Sequence, residues 1–536
     1  MEEFATPHYY GCCALCIFLL FLVLAVVGAK PGTIKKLRPN LPPGPWQLPV
    51  IGSSHWLLSR LPPHRRMRDL SLRHGPIMQL RICERAVVVV SSAEAAEAVF
   101  RDAAFEQRPT SPALDELYSR YGMGIVFAPY GDHWRLLRRV LVNELLSAQR
   151  VESFRRIREQ EAARLVSSLQ QAAASAPGQL ANIDERLAAF VTDSAVRAIF
   201  GDRTMPDRAA LLDTVEQALD FSSLFDLRDL FPSSWLARML PRNGKAERNR
   251  LAVVRLMEGI LRLHEERRSS TGQADDGQDM VDVLLRIRND EGAMGSISLT
   301  HGIIVNMLMD VFVAAIKATT CTLRWAMAEL MANPRVMEKV QSEIQRVLAG
   351  QDRVREEALR DLGYLRAVIK ETLRLHPTIP LVPRICTQDD RKIQGYDVPK
   401  GTILVANVWA ISRDPKYWHS RRQDDDDDPD KFVPERFEAA EQAFSFTGSD
   451  LEFMPFGAGR RICPGIAFSQ ANTEIALASL LYHFDWALPA GRVRPEELDM
   501  TDSCGLEVRR NAELLLRPIP RRVRIPQQVA DEIYIG

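Results

Sequence analysis

Apolar and polar positions along this 536-residue chain recur mostly at the spacing of a helix. Arg150–Gln171 carries apolar residues three and four apart with charges between them, which predicts an amphipathic helix. Leu299–Asn333 is apolar almost throughout, has few breakers and ends near Asn333-Pro334, which predicts a long apolar helix. Gln341–Leu348 and Tyr364–His376 read as shorter amphipathic helices. Strand-like runs are few. Ile77–Ile82 and Ala86–Ser91, rich in Val and Ile and separated by a short polar link, predict a hairpin. Gln394–Val398 followed by Thr402–Asn407 across Pro399-Lys400-Gly401 predicts a second. Ser270–Asp279 and Arg421–Asp430 are polar and read as loops, and there is no internal repeat. The run Asp424–Asp428 within the second loop reads as a solvated segment, because it lacks the spaced ligands of a calcium loop.

One segment has a different pattern. Tyr9–Ala29 is almost free of charge, and about twenty apolar residues suffice to cross a bilayer. Glu2 and Glu3 precede it, while Lys30, Lys35, Lys36 and Arg38 follow, so the positive-inside rule places the rest of the chain in the cytosol. A cleaved signal peptide is the rival reading; it would want a basic start and a shorter apolar core. Proline then stiffens Leu41–Ser53, LPPGPWQLPVIGS, as a spacer would be. The expected organisation is an anchor at 1–29, a basic and proline-rich hinge at 30–53 and a globular domain at 54–536.

Composition changes this picture little. Lys plus Arg and Asp plus Glu both number 69, which gives no argument for nucleic acid or for a strongly acidic partner. The eight cysteines are scattered, with no paired spacing beyond the apolar N-terminal segment, so neither a disulfide framework nor a zinc site is indicated.

The candidate chemistry sits in Pro455–Gly465, PFGAGRRICPG. Gly457 and Gly459 let the backbone turn tightly and approach a flat ligand. Pro464 suits the first turn of a helix, whose amide dipoles would lower the pKa of Cys463 and favour the thiolate. A thiolate can be the axial ligand of haem iron. Arg460 and Arg461 add positive charge suited to an acidic cofactor edge. Phe456, Gly459, Arg461, Cys463 and Gly465 together fit F-x-x-G-x-R-x-C-x-G, which resembles the haem-thiolate signature of the cytochrome P-450 superfamily.

Other residues extend the resemblance over nearly the whole chain beyond the anchor. Glu371 and Arg374, three apart in KETLRLHP, lie on one helix face, and Arg436 follows in PERF; they resemble the structural Glu-Arg-Arg triad that holds the loop behind the haem. Trp134 and Arg138 lie four apart, both donors only, which suits haem propionates. Arg384 in PLVPR matches a further propionate-binding arginine of the family, and Arg461 is the third candidate. FAPYGDHW, ISRDPKYW and ALASLLYHFDW look like plant microsomal members. The resemblance implies a mainly α fold, a helical prism with a small β-region behind an N-terminal transmembrane helix. It implies heme b as cofactor, with electrons from NADPH through a separate NADPH-cytochrome reductase. It further implies insertion of one oxygen atom from O2 into a small lipophilic metabolite, terpenoid or indole-like, at the endoplasmic reticulum membrane. Arg135, Arg139 and Arg460 are candidates for a basic docking patch. The substrate-facing segments by resemblance are Ser111–Phe127, Val305–Val313, Thr378–Val382 and Ser503–Leu506.

The long helix departs from the family pattern. Members carry small-Gly-x-acid-Thr-Thr/Ser where this chain reads Ala314-Ala315-Ile316-Lys317-Ala318-Thr319. Reduction of dioxygen consumes protons, which an acid and a hydroxyl deliver. Here Lys317 and Ala318 occupy those positions. Three readings stay open: Thr319 or Thr320 substitutes through a local helix bulge; the haem serves an O2-independent isomerase or dehydratase; or catalysis is impaired. The Lys317 ammonium is either a proton donor of lowered pKa or a side chain snorkelling to a surface carboxylate.

Overall fold

The computed structural model describes residues 39–59, 61–110, 122–176, 178–201, 227–239, 244–271, 279–290, 299–418, 428–438, 444–489, 494–503 and 507–521. The apolar segment Tyr9–Ala29, most of the aspartate run, Ser111–Tyr121 and Cys504–Leu506 lie outside the described residues.

Helices dominate the body, and the spacing of apolar residues explains where they lie. The helices used below are α1 (Asp132–Arg139), α2 (Arg155–Ser175), α3 (Ile183–Phe200), α4 (His301–Ala332), α5 (Pro334–Val347), α6 (Gly363–Leu375) and α7 (Ile466–His483). The expected helix at Arg150–Gln171 is divided: Ala148–Ser153 forms a short helix capped by the Ser147 side chain, the chain turns at Phe154, and α2 continues. α4 matches the long apolar run. The Thr300 hydroxyl caps it by accepting the Ile303 N–H, and Asn333-Pro334 ends it. Among the described residues it is the one helix long and apolar enough to cross a membrane. It is instead a core helix. Its first half, Ile303 to Ile316, packs with Ile199 and Phe200 of α3 and with Leu284. Its second half, Leu323 to Met331, packs with Leu187 of α3, Leu165 of α2, Leu365 of α6 and Leu477 of α7. A helix apolar on every side needs partners on every side, and these two clusters supply them.

The β-region is small. β1 (Ile77–Ile82) and β2 (Arg85–Val90) form the expected antiparallel hairpin, with Cys83 at φ 53° in its turn. β3 (Leu381–Ile385), β4 (Arg391–Ile393), β5 (Tyr396–Val398) and β6 (Ile403–Asn407) follow. The second expected hairpin is not formed. β5 pairs back onto β4 through Gln394 and Gly395, both at positive φ, while β6 runs parallel to β2 and antiparallel to β3. Adjacent positive-φ residues twist a two-residue turn to match strand twist, and the pair Gln-Gly made that turn despite the proline-led signal downstream.

The described part of the proline-rich segment lies against this sheet rather than standing clear. Gln79 N–H donates to Pro43 O at 2.8 Å, and Asn40 N–H donates to the Asp397 carboxylate at 2.6 Å.

Candidate functional site

The cysteine loop is built from three short pieces: a turn at Pro455–Gly457, a single 3-10 turn at Gly459–Arg461, and α7 from Ile466. Gly459 stands at φ 69°, and a Cβ there would lie 2.4 Å from Phe100 O, so only glycine lets the loop close on the helix Ala93–Arg101. Cys463 N–H donates to Phe456 O at 3.0 Å, and Gly465 N–H donates to Cys463 Sγ at 3.3 Å. Phe456 packs edge-on against Phe446, with ring centroids 5.1 Å apart.

Two features of this loop differ from expectation. Pro464 and Gly465 precede the helix, so Cys463 lies before its first turn. The pKa of the thiol is raised, not lowered. Burial is the cause, and the Gly465 N–H with the charges of Arg138 and Arg108 offsets it only in part. The helix dipole falls off within a turn, and here desolvation outweighs it.

Arginines converge on the loop. Arg138 Nη1 on α1 donates to Ile462 O at 2.7 Å, one residue before the cysteine. Arg461 Nη2 donates to Ala128 O at 2.6 Å, and its guanidinium lies 5.1 Å from the centre of the buried Trp134 ring. Arg108 Nη1 donates to Val126 O at 3.1 Å. Arg384 Nη1 donates to Pro383 O, and its guanidinium stacks 5.2 Å from the Phe100 ring. Burial draws Arg384 down to about 9 and Arg461 down to about 10, and in each case mutual repulsion with Arg108 adds to it; Arg384 also feels Arg461. Both stay charged at neutral pH. Arg461 Nε is buried with no hydrogen-bond partner among the described residues. Several guanidiniums gathered beside one thiol, met mainly by carbonyl oxygens, fit a group with an acidic edge and a metal.

The Glu371, Arg374 and Arg436 side chains meet one another. Arg374 makes a bidentate pair with Glu371 at 2.7 and 2.8 Å, and both side chains are fully buried. Its remaining N–H groups donate to the carbonyls of Ser412, Pro429 and Lys431. Arg436 Nε lies 3.6 Å from Glu371 Oε1, while its Nη1 and Nη2 donate to Trp418 O and Asp428 O at 2.8 Å. The Arg374 guanidinium is thus met by a carboxylate and by carbonyls, and the Glu371 carboxylate by the Arg374 and Arg436 guanidiniums. Arg135, Arg139 and Arg460, candidates for a basic patch, are all exposed, and Arg460 and Arg135 also pair with Glu106 and Asp132.

The middle of α4 is partly exposed. Ala314 is exposed, and Met309, Asp310, Val311, Val313, Ala315, Lys317 and Ala318 are partly so, in a helix whose other residues are mostly buried. No bulge interrupts α4, which leaves the reading that brings in Thr319 or Thr320 through a local bulge without that bulge. Thr319 is 1% exposed, and its hydroxyl lies 3.2 Å from Ser469 Oγ on α7. Thr320 Oγ1 is buried with no partner among the described residues. Lys317 Nζ lies 3.8 Å from Glu507 Oε1, and Glu507 is held beside the helix because Cys321 Sγ–H and Trp325 Nε1–H both donate to the next carbonyl, Val508 O.

Sequence reasoning missed Arg108 and Glu507, and gave Asp310 no role of its own within Val305–Val313. None belongs to a spaced pattern in the sequence, and each acquires its place only when distant segments pack.

A mostly helical body with a cysteine loop and a long core helix defines a class of haem protein, and comparison agrees. The cytochrome P-450 family model matches residues 42–510, so the chain belongs to the cytochrome P-450 family. Its relatives include desmethyl-deoxy-podophyllotoxin synthase of Sinopodophyllum hexandrum, 39% identical over 94% of this chain and 96% of that protein. Ent-cassadiene hydroxylase of Oryza sativa subsp. japonica is 42% identical over 94% and 96%. Premnaspirodiene oxygenase of Hyoscyamus muticus is 38% identical over 96% and 99%. The chain is a cytochrome P-450 monooxygenase, and membership of the family implies haem b.

Proposed function

We propose that this enzyme inserts one oxygen atom from O2 into a small lipophilic terpenoid-like metabolite, with electrons from NADPH passed through a separate reductase, at the endoplasmic reticulum membrane. The observation that carries the reading is the grouping of Cys463 with Arg108, Arg138, Arg384 and Arg461. The terpenoid class is supported by the relatives named as an ent-cassadiene hydroxylase and a premnaspirodiene oxygenase. The apolar segment Tyr9–Ala29 supports the membrane site, as an anchor ahead of a cytosolic domain.

Cys463 is the residue to hold the haem iron, and Arg384, Arg461, Arg138 and Trp134 are those to hold its acidic edge. Bound haem supplies dioxygen reduction and oxygen transfer. The chain's own residues do the rest. Gly465 N–H donates to Cys463 Sγ and so moderates its electron donation. Arg138 fixes the carbonyl before the cysteine. Glu371, Arg374 and Arg436 lock the preceding loop. Ile125, Val313, Ile379 and Val382 present an apolar wall to the substrate.

Proton supply from α4 is the weak element. The position that should carry an acid holds Lys317, paired with Glu507, and Ala318 has no hydroxyl. This favours a second reading, in which reducing equivalents leak to peroxide. Purified enzyme with reductase, NADPH and a panel of terpenoids tests both. Products heavier by one oxygen support the proposal; a product of unchanged mass formed without NADPH contradicts it.

A further inference from the structure

Asp310 lies on α4 one turn before Ala314. Its Oδ2 accepts the Val126 N–H at 3.1 Å, and the Ile125 N–H also reaches the carboxylate. The carbonyl of the same residue, on the next peptide group, accepts from Arg108 at 3.1 Å and from Arg461 at 3.4 Å. Two residues on, Ala128 O accepts from Arg461 at 2.6 Å. The backbone of one residue, Val126, therefore joins the carboxylate of the core helix to the guanidiniums of Arg108 and Arg461.

The loop is built around this carboxylate. A Cβ at Gly124 would lie 2.3 Å from Asp310 Oδ2, so the backbone approaches as closely as only glycine permits. One turn earlier, Asn306 Nδ2 donates to Gly122 O at 2.6 Å. From the other side His133 Nε2 contacts Met123 O at 3.0 Å. Burial raises the Asp310 pKa to about 7, against the pull of the two N–H groups and of Arg108, the charged group that acts on it.

We propose that Asp310 is a positioning residue: through the Val126 backbone it sets where the Arg108 and Arg461 guanidiniums meet the cofactor edge and where Ile125 and Phe127 meet substrate. The inference rests on the haem-enzyme reading above. An amide at 310 cannot receive two N–H groups with two anionic oxygens, so part of the hold is lost and buried donors go unmet. A loop held less firmly presents its arginines and its apolar side chains less well, even while haem stays bound.

The test uses the full-length holoenzyme and Asp310→Asn. The expected result has three parts: substrate dissociation constant, read from the ferric spectrum, up about tenfold; a shifted haem reduction potential; and loss of a transition near pH 7 in the substrate-binding profile. Gly124→Ala, which leaves the carboxylate in place but pushes the loop from it, should reproduce the first two. If Asp310→Asn does not fold, Gly124→Ala alone decides. Wild-type substrate affinity, potential and pH profile in the decisive variant, with only a lowered melting temperature, would overturn the proposal. Absence of haem from the wild-type protein would instead overturn the underlying reading.

Discussion

Arg138 donates to the carbonyl of Ile462 at 2.7 Å, and so the helix Asp132–Arg139 grips the cysteine loop one residue before Cys463. A guanidinium makes this contact while keeping N–H groups for a second acceptor. Replacing it by lysine keeps the charge but loses the fork. Arg138→Lys is expected to bind haem less completely, and Arg138→Ala less still, at a cost of about 1–3 kcal/mol for a hydrogen bond from a charged donor. Haem content per chain after purification reads this directly. Full occupancy in Arg138→Ala would show that the contact is dispensable.

The Glu371–Arg374 pair has no access to solvent. Removing one partner leaves an uncompensated buried charge, at a cost of about 3–5 kcal/mol. Glu371→Ala should yield little soluble, haem-loaded protein. Arg374→Lys should also destabilise, since one ammonium cannot serve the carboxylate and the carbonyls of Ser412, Pro429 and Lys431 together. Thermal denaturation compares the variants with wild type. Unchanged melting in both would remove the triad from the account.

Lys317 and Ala318 predict poor coupling. Wild-type enzyme with reductase should release a large share of its NADPH equivalents as peroxide. The double change Lys317→Asp with Ala318→Thr should raise product per NADPH by roughly a hundredfold at most, the lower range of general acid–base effects. Tight coupling in the wild type would mean that protons arrive by another path.

The pH dependence of stability follows from Glu474, raised to about 7 chiefly by burial. Its folded pKa exceeds the ordinary carboxyl value, so the folded state holds a proton that the unfolded chain has released. That contribution is complete below the unfolded pKa and is lost as pH rises toward 7. The melting temperature difference between wild type and Glu474→Gln should therefore widen, with wild type falling behind, from pH 4 to pH 7. A constant difference across that range would contradict the raised pKa.

Much of this was legible in the sequence, for reasons specific to each element. The helix His301–Ala332 announced itself because a helix buried on all sides must be apolar on all sides, and its ends carried Thr300 and Asn333-Pro334. The cysteine loop was legible because glycines, cysteine and arginine recur at fixed spacing. Ile403–Asn407 was read as a strand but given the wrong partner, since period-two alternation marks a strand without naming its neighbour. The Cys463 thiol was misjudged because burial, which sequence does not display, outweighed the helix dipole. The roles of Asp310 and Glu507 were invisible, because their partners come from segments 184 and 190 positions away.

The central claim is a haem bound through Cys463. Reduced, carbon-monoxide-bound full-length protein should give the absorption band of a thiolate-ligated haem, and Cys463→Ala should abolish it. A band of histidine-ligated haem in the wild type, or a thiolate band that survives Cys463→Ala, would contradict the account.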